Sequence, residues 1–283
     1  VTVAVDPIEK KPLFHFLPGK QAFSIATAGC NVNCKFCQNW QISQVRPEQV
    51  KSLNLPPSRV AFLASRYGTP IIAYTYTEPI IFVEYMLDIA ERATRRGIRN
   101  VIITGAHVNP GPWKDIVKAM DGIKIDLKAF TEEFYQNIVR GHLKPVLDAV
   151  VAAAKSGKWL EIVYLVIPTL NDNLDDIRRM SRWFVKEVGR DVPIHFSRFF
   201  PMYMLRNLPA TPVRTLEQAR EVAMAEGMKF VYVGNVPGHP GESTYCPKCG
   251  KVVIKRVGYE IKEFHIKHGK CEYCGEPIPG VWS

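Results

Sequence analysis

Residues 29–40 read GCNVNCKFCQNW, with Cys30, Cys34 and Cys37 spaced C-x₃-C-x₂-C and the next cysteine, Cys246, more than two hundred residues further on. Four thiolates close a tetrahedral metal site or fill every corner of an iron-sulfur cubane; three leave one metal with an open position. An apolar run, Ala22–Thr27, leads straight into the loop, and from Cys30 to Cys37 the loop contains no proline, so its backbone can wrap a compact inorganic cluster. The alternative is three structural or incidental thiols, which crowding in one loop disfavours.

Working outward, further apolar runs at Pro70–Tyr76, Asn100–Thr104, Ile123–Leu127, Glu161–Ile167 and Pro193–Phe196 read as buried parallel strands, with a seventh at Lys229–Val233. Amphipathic helices are expected between them at Pro57–Tyr67, Pro79–Arg96, Pro112–Met120, Lys144–Ser156, Leu174–Val188 and Thr215–Glu226, with Gly97, Gly157, Gly189 and Gly227 at helix C-caps. A βα unit repeated about six times predicts a parallel sheet covered by helices, in either a TIM-like barrel or a doubly wound sheet. Polar residues follow the C-terminal end of nearly every strand: the cysteines, Glu78, His107 and Asn109, Asp126 and Lys128, Asn171 and Asp172, Ser197 and Arg198. A ring of polar residues over one mouth favours the barrel. The expectation is an α/β partial (β/α)₆ TIM-like barrel over residues 1–234, a linker over 235–245, and a small Cys₄ zinc-ribbon-like domain over 246–283.

The other four cysteines, Cys246, Cys249, Cys271 and Cys274, form two C-x₂-C-G knuckles. That spacing predicts a closed tetrahedral site, with zinc as the default metal and iron, as in rubredoxin, as the rival. His265 and His268 lie between the knuckles and read as surface residues. Clustered CxxC spacings with no export signal indicate metal ligation in a reducing compartment, hence the cytoplasm. The first residue is Val1 rather than Met, so an N-terminal piece is expected to be missing. No run is long and apolar enough to predict a transmembrane helix.

The chain carries a net charge of +10. The ribbon contributes +2 of this, seven Lys and Arg against five Glu in residues 236–283. The densest basic group, Arg92, Arg95, Arg96 and Arg99, closes a helix, where cations answer the helix dipole, so nucleic acid is a secondary expectation. Among the histidines, His107 and His195 stand out as acid–base candidates, ahead of His15 and His239; a satisfied structural role is the competing reading. His142 reads as a residue at a helix start.

The cysteine spacing, with Phe36 before the last thiol, resembles the signature of the radical S-adenosylmethionine (SAM) superfamily. That resemblance implies a 4Fe-4S cluster on Cys30, Cys34 and Cys37, and SAM chelated to the fourth iron. One electron then cleaves SAM to a 5′-deoxyadenosyl radical that abstracts hydrogen from substrate. Tyr76-Thr77-Glu78-Pro79 stands where the superfamily has Gly-Gly-Glu-Pro, implying contacts to the SAM ammonium. IDLK at Ile125–Lys128 is similar to the Asp-Leu-Lys of glycyl-radical-enzyme activases, which puts Asp126 and Lys128 beside SAM. Ile103 precedes Thr104 where those activases have Asp. VIPTLND at 166–172 implies that Val166 and Ile167 contact the adenine and Asn171 adds a polar contact; a plain buried strand and turn is the alternative. Trp40, Phe36 and Asn39 are expected to flank the cofactor, and Arg198 to bind an anionic group or to salt-bridge internally.

VDPIEKKPLFHFLPG, CKFCQNW, YTEP, HFSRFFP, YVGNVPGH and the terminal CPKCG…CEYCGEPIPGVW resemble the radical enzyme family of the AmmeMemoRadiSam system, related to pyruvate formate-lyase activating enzymes. That resemblance implies a ferredoxin or flavodoxin as electron donor and a possible protein substrate, including the Ammecr and Memo proteins. Competing functions are an RNA-modifying radical enzyme and a non-catalytic iron-sulfur or zinc scaffold. Met202–Leu205, in a segment rich in Met and aromatics, is expected either to border a side opening and contact a macromolecule or to plug the far end of the barrel.

Overall fold

The apolar runs become strands of one eight-stranded sheet in the computed structural model, which describes residues 1–283. In chain order they are β1 (Thr2–Pro7), β2 (Gln21–Ala26), β3 (Ile71–Tyr74), β4 (Arg99–Thr104), β5 (Gly122–Asp126), β6 (Trp159–Val166), β7 (Ile194–Arg198) and β8 (Val231–Gly234). The spatial order equals the chain order, β2 to β8 are parallel, and β1 pairs antiparallel with β2. The seventh run, expected at Lys229–Val233, also joins the sheet. It makes seven parallel strands against the six of the expected barrel, and β1, rich in β-branched residues but ending in Asp6 and Pro7, is a strand beyond those expected.

The helices fall close to their expected positions, at Pro57–Arg66, Val83–Thr94, Pro110–Ala119, Leu143–Ala154, Leu174–Glu187 and Val213–Ala225. Gly97 and Gly189, with φ of 70° and 115°, take the left-handed conformation that ends a helix without a Cβ clash. Proline at position 79 starts a 3₁₀ turn, Pro79–Phe82, rather than the α-helix itself. Strand residues of one parity (Ile123, Ile125; Ile162, Tyr164, Val166; Ile194, Phe196) join the helices in one apolar core. The other parity faces inward and carries the polar groups, which places the site.

The stretch expected as a linker is built into the structure. Residues 240–242 form a 3₁₀ turn, Thr244–Tyr245 form β9, and Glu242, Ser243 and Thr244 are buried. β9 pairs with β10 (Val252–Val257), which pairs with β11 (Glu260–Phe264). This ribbon shares a core with the sheet: Phe14, Phe230 and Tyr232 pack with Val253, Ile254 and Ile278. Arg256 is buried at the junction, where Nη2 donates to the Phe14 carbonyl at 2.7 Å and Nη1 to Thr244 Oγ1 at 2.9 Å. No helix is long and apolar enough to cross a membrane.

Candidate active site and metal centre

The loop after β2 is fastened on four sides. Gly29 N–H donates to Ile42 O (2.8 Å), Lys35 N–H to Ile138 O (2.9 Å) and Met204 N–H to Lys35 O (2.9 Å), while Asn31 Nδ2 donates to His107 O (2.8 Å). Gly29, at φ 102°, could not be replaced freely, because a Cβ there would meet Ile81 at 2.9 Å. So held, Cys30, Cys34 and Cys37 line one side of a cavity of about 390 Å³. Burial pushes the thiols of Cys30 and Cys34 up to about 11 and 12, and the Lys128 charge pulls both back toward the thiolate. Three convergent thiols without a fourth, opening onto a cavity, fit a cubane with one free corner.

Glu78, Thr104, Asp126 and Lys128 line the same cavity, as do Phe36, Asn39, Tyr76 and Thr77. Glu78 is buried; Thr104 Oγ1 donates to its Oε1 at 2.5 Å and Gly105 N–H to its Oε2 at 2.8 Å. Burial raises its pKa, against the pull of these donors. Glu78 also caps the turn that follows, accepting from Ile80 N–H at 3.3 Å, so the helix-start reading and the site reading both hold. Tyr76 sits at φ 67°, its carbonyl accepting from Asn39 Nδ2 at 2.7 Å, which ties the cysteine loop to the end of β3.

Asp126 and Lys128 alternate along β5 and its end, with Lys128 Nζ 3.6 Å from Asp126 Oδ2. Burial opposes both charges, but Lys124 and Lys128 hold the Asp126 carboxyl below its usual range, and Asp126 keeps Lys128 firmly protonated. Lys128 Nζ lies 5.7 Å from the Phe36 ring centroid, and its backbone N–H donates to the buried Tyr135 hydroxyl at 3.1 Å.

Five expected residues lie elsewhere: Ile167 is buried in the core and Trp40 stacks on Tyr203, and Val166, Arg198 and Asn171 are also displaced. Val166 faces the helices, and Val163 and Leu165, of opposite parity, line the cavity instead. Arg198 is likewise turned out, with Nε donating to the Thr211 carbonyl at 2.8 Å, whereas Ser197 lines the cavity. Asn171 spends its amide on the backbone: Oδ1 accepts from Ile167 N–H, and Nδ2 donates to the carbonyls of Lys128 (2.7 Å) and Leu165 (2.8 Å). It positions Lys128 rather than touching the cavity.

His195 is corrected more fully. It sits near the N-terminal end of β7, away from the thiols, where Nε2 meets Glu161 Oε2 at 2.8 Å. Glu161 also accepts from the N–H groups of Phe14 and His15, and His15 bridges Pro279 O and the Tyr232 hydroxyl. Both histidines are structural. His107 borders a smaller side cleft with Asn109, and the His142 backbone N–H donates to His107 Nε2 at 3.1 Å. His239 caps the 240–242 turn and meets Glu217. Sequence reasoning missed Lys11, Lys124 and Tyr259, which also line the main cavity; the alternation Lys124–Asp126–Lys128 was the available signal for one of them.

In the ribbon, the Sγ atoms of Cys246, Cys249, Cys271 and Cys274 all lie within 4.8 Å of one another, and neither His265 nor His268 belongs to the set. Gly250 and Gly275, at φ 70° and 75°, turn their N–H groups to the carbonyls of Cys246 and Cys271, forming the two knuckles. This donor set fits one metal ion.

Compared with known proteins, the chain is 43% identical over 279 residues to the uncharacterized protein MJ0808 of Methanocaldococcus jannaschii, covering 98% of this chain and 83% of that one. It is 23% identical over 156 residues to a pyruvate formate-lyase-activating enzyme of Clostridium pasteurianum, covering 54% of this chain and 65% of that one. The crystal structure of a radical SAM methyltransferase from Sphaerobacter thermophilus superposes with a TM-score of 0.59 at 14% identity, over 80% of this chain and 71% of that one, a likeness of fold. Residues 24–183, which carry the three cysteines, Glu78, Asp126 and Lys128, match the radical SAM superfamily pattern, and to that superfamily of enzymes the chain belongs.

Proposed function

We propose that the cavity is the centre of an activase-like radical SAM enzyme that abstracts hydrogen from a protein substrate. The observation that carries this reading is that three thiols open into the same cavity as Glu78, Asp126 and Lys128. Cys30, Cys34 and Cys37 would hold the 4Fe-4S cluster. When bound there, the cluster and SAM supply reductive cleavage to a 5′-deoxyadenosyl radical. The chain's own residues prepare the site. Loading requires the thiols to lose protons, which Lys128 favours electrostatically. Tyr76, Thr77 and Glu78 line the cavity and would offer acceptors to an ammonium group, and Asn39 fixes the Tyr76 carbonyl. Val163 and Leu165 give the cavity an apolar wall.

The sheet is read as a splayed partial barrel, and the ribbon as a zinc site, with iron as the rival metal. Met202–Leu205 lies against the cysteine loop, with Tyr203 stacked on Trp40 at 5.4 Å and Met204 exposed. That position suits a polypeptide substrate docking beside the thiols, in the manner of an activase. Ferredoxin or flavodoxin is the proposed electron donor, and the Ammecr and Memo proteins of the AmmeMemoRadiSam system are the first partners to test. Anaerobically reconstituted enzyme, given SAM, reductant and a deuterated candidate partner, should produce 5′-deoxyadenosine carrying the label. Failure to form any 5′-deoxyadenosine points instead to a non-catalytic scaffold.

A further inference from the structure

Four lysines line the cavity, and only two carboxylates are paired with them. Nearest the thiols, Lys128 and Lys124 share Asp126. Further along, Lys11 and Lys10 share Asp6, at 2.8 and 2.6 Å. Lys124 pairs with Asp126 alone and Lys11 with Asp6 alone, so the row runs ammonium, carboxylate, ammonium, then ammonium, carboxylate, ammonium. Lys124 and Lys11 line the same cavity, close enough for the Lys124 charge to lower the Lys11 pKa. Both are nearly buried, their side chains 7% and 3% exposed.

Lys11 lies 4.2 Å over the Tyr76 ring, whose hydroxyl donates to Asp6, so its ammonium is anchored and cannot swing into solvent. Burial lowers the Lys11 pKa to about 8 although Asp6 pulls the other way, and the charges of Lys10 and Lys124 add to the lowering. Because Asp6 and Asp126 are each shared between two lysines, the four ammoniums exceed their paired carboxylates by two positive charges, an excess that an anion entering the cavity would offset. Pro12, Asn235 and Tyr259 also line the cavity, the last from the turn between β10 and β11. The ribbon thus contributes a side chain to this site.

We propose that the space between Lys11 and Lys124 receives an anionic group of the substrate, a carboxylate or a phosphate. The inference rests on the reading that the thiol end is the radical centre. The substrate then spans the cavity, its anion on the two lysines and its reacting carbon toward Cys30, Cys34 and Cys37, with the Tyr259 side as the route of approach.

The test uses the full chain and small anions, so it needs neither cluster nor turnover. Thermal unfolding is followed with sodium phosphate or sodium acetate against sodium chloride of equal ionic strength. At about tenfold excess over half-saturation, protection of about 2–4 °C is expected. Response to phosphate alone marks a phosphoester site, and response to acetate a carboxylate site. Lys11→Gln should abolish the protection and Lys11→Arg restore it; Lys124→Gln serves if Lys11→Gln does not fold. Crystals soaked in bromide should show an anomalous peak between the two Nζ atoms. Absence of both protection and peak overturns the proposal, as does protection that saturating SAM removes, because the anion would then be the cofactor's own carboxylate. If anion binding holds while 5′-deoxyadenosine is never formed, the radical reading fails and the anion site stands.

Discussion

The guanidinium carbon of Arg256 lies 4.2 Å from the centroid of the Phe14 ring, while Nη2 of the same group donates to the Phe14 carbonyl, across 242 residues of chain. One side chain thereby fastens the ribbon to the segment between β1 and β2. Arg256→Ala leaves that carbonyl and Thr244 Oγ1 without a donor and removes the stacked stem, at an expected cost of about 2–4 kcal/mol. Arg256→Met keeps the stem and should recover part of the loss. Urea unfolding of the two variants separates packing from hydrogen bonding.

Cys34→Ala should remove iron without disturbing the ribbon. Reconstituted wild-type chain is expected to hold about four irons at the first site and about one further metal at the second. Elemental analysis of the variant should show the iron lost and the ribbon metal kept. Retained 5′-deoxyadenosine formation in Cys34→Ala would falsify the assignment of the cluster.

The ribbon knuckle can be probed without touching a thiol. Gly250 has φ 70° and nothing within 4 Å of a Cβ placed on it, so its requirement is purely conformational. Gly250→Val forces a β-branched residue into that region, at about 1–3 kcal/mol, and metal affinity should fall about tenfold or more. Competition against a colorimetric chelator measures it. Gly275→Val should behave alike; unchanged affinity in both would mean that the four sulfurs do not form a single site.

His15 gives the fold an acid limit. It is fully buried, and burial pushes its pKa down to about 4. Nδ1–H donates to Pro279 O at 2.6 Å, so Nε2 accepts from the Tyr232 hydroxyl at 2.5 Å, and the neutral ring is the one that fits. The unfolded chain takes up this proton near pH 6.5 and the folded chain only near pH 4, so stability falls as pH drops through that window. The His15 contribution is about 3 kcal/mol across it. Denaturant midpoints measured from pH 7 to pH 4 should show the slope, and His15→Gln should flatten it.

The cysteine loop, the order of the strands and the pairing of Asp126 with Lys128 were legible because each is local: a spacing, a periodicity, an alternation. Val166 and Arg198 were misplaced for a definite reason. A strand buried on both faces is apolar at every position, so alternation alone cannot say which parity faces the cavity. The anchor lay earlier in each strand. Glu161 and His195 are polar residues in apolar runs, and counting by two from them reaches Leu165 and Ser197, the residues that line the cavity. Lys11 and Tyr259 had no such anchor, since they share a cavity only after the chain's two ends have met.

That meeting has a temporal consequence. Leu17 N–H donates to Val281 O and Val281 N–H to His15 O, each at 2.7 Å, lacing the first twenty residues to the last three. Contacts between segments this far apart in sequence form late in folding, because the long stretch of chain between them must first be ordered. Phe16 and Leu17 find core partners early in the sequence, Ile71 and Val101 among them, whereas Phe14 packs with Phe230, Tyr232, Val253, Ile254 and Ile278 and is covered only once those distant residues have folded. The seam between ribbon and sheet is thus the part of the molecule whose closure comes late in refolding.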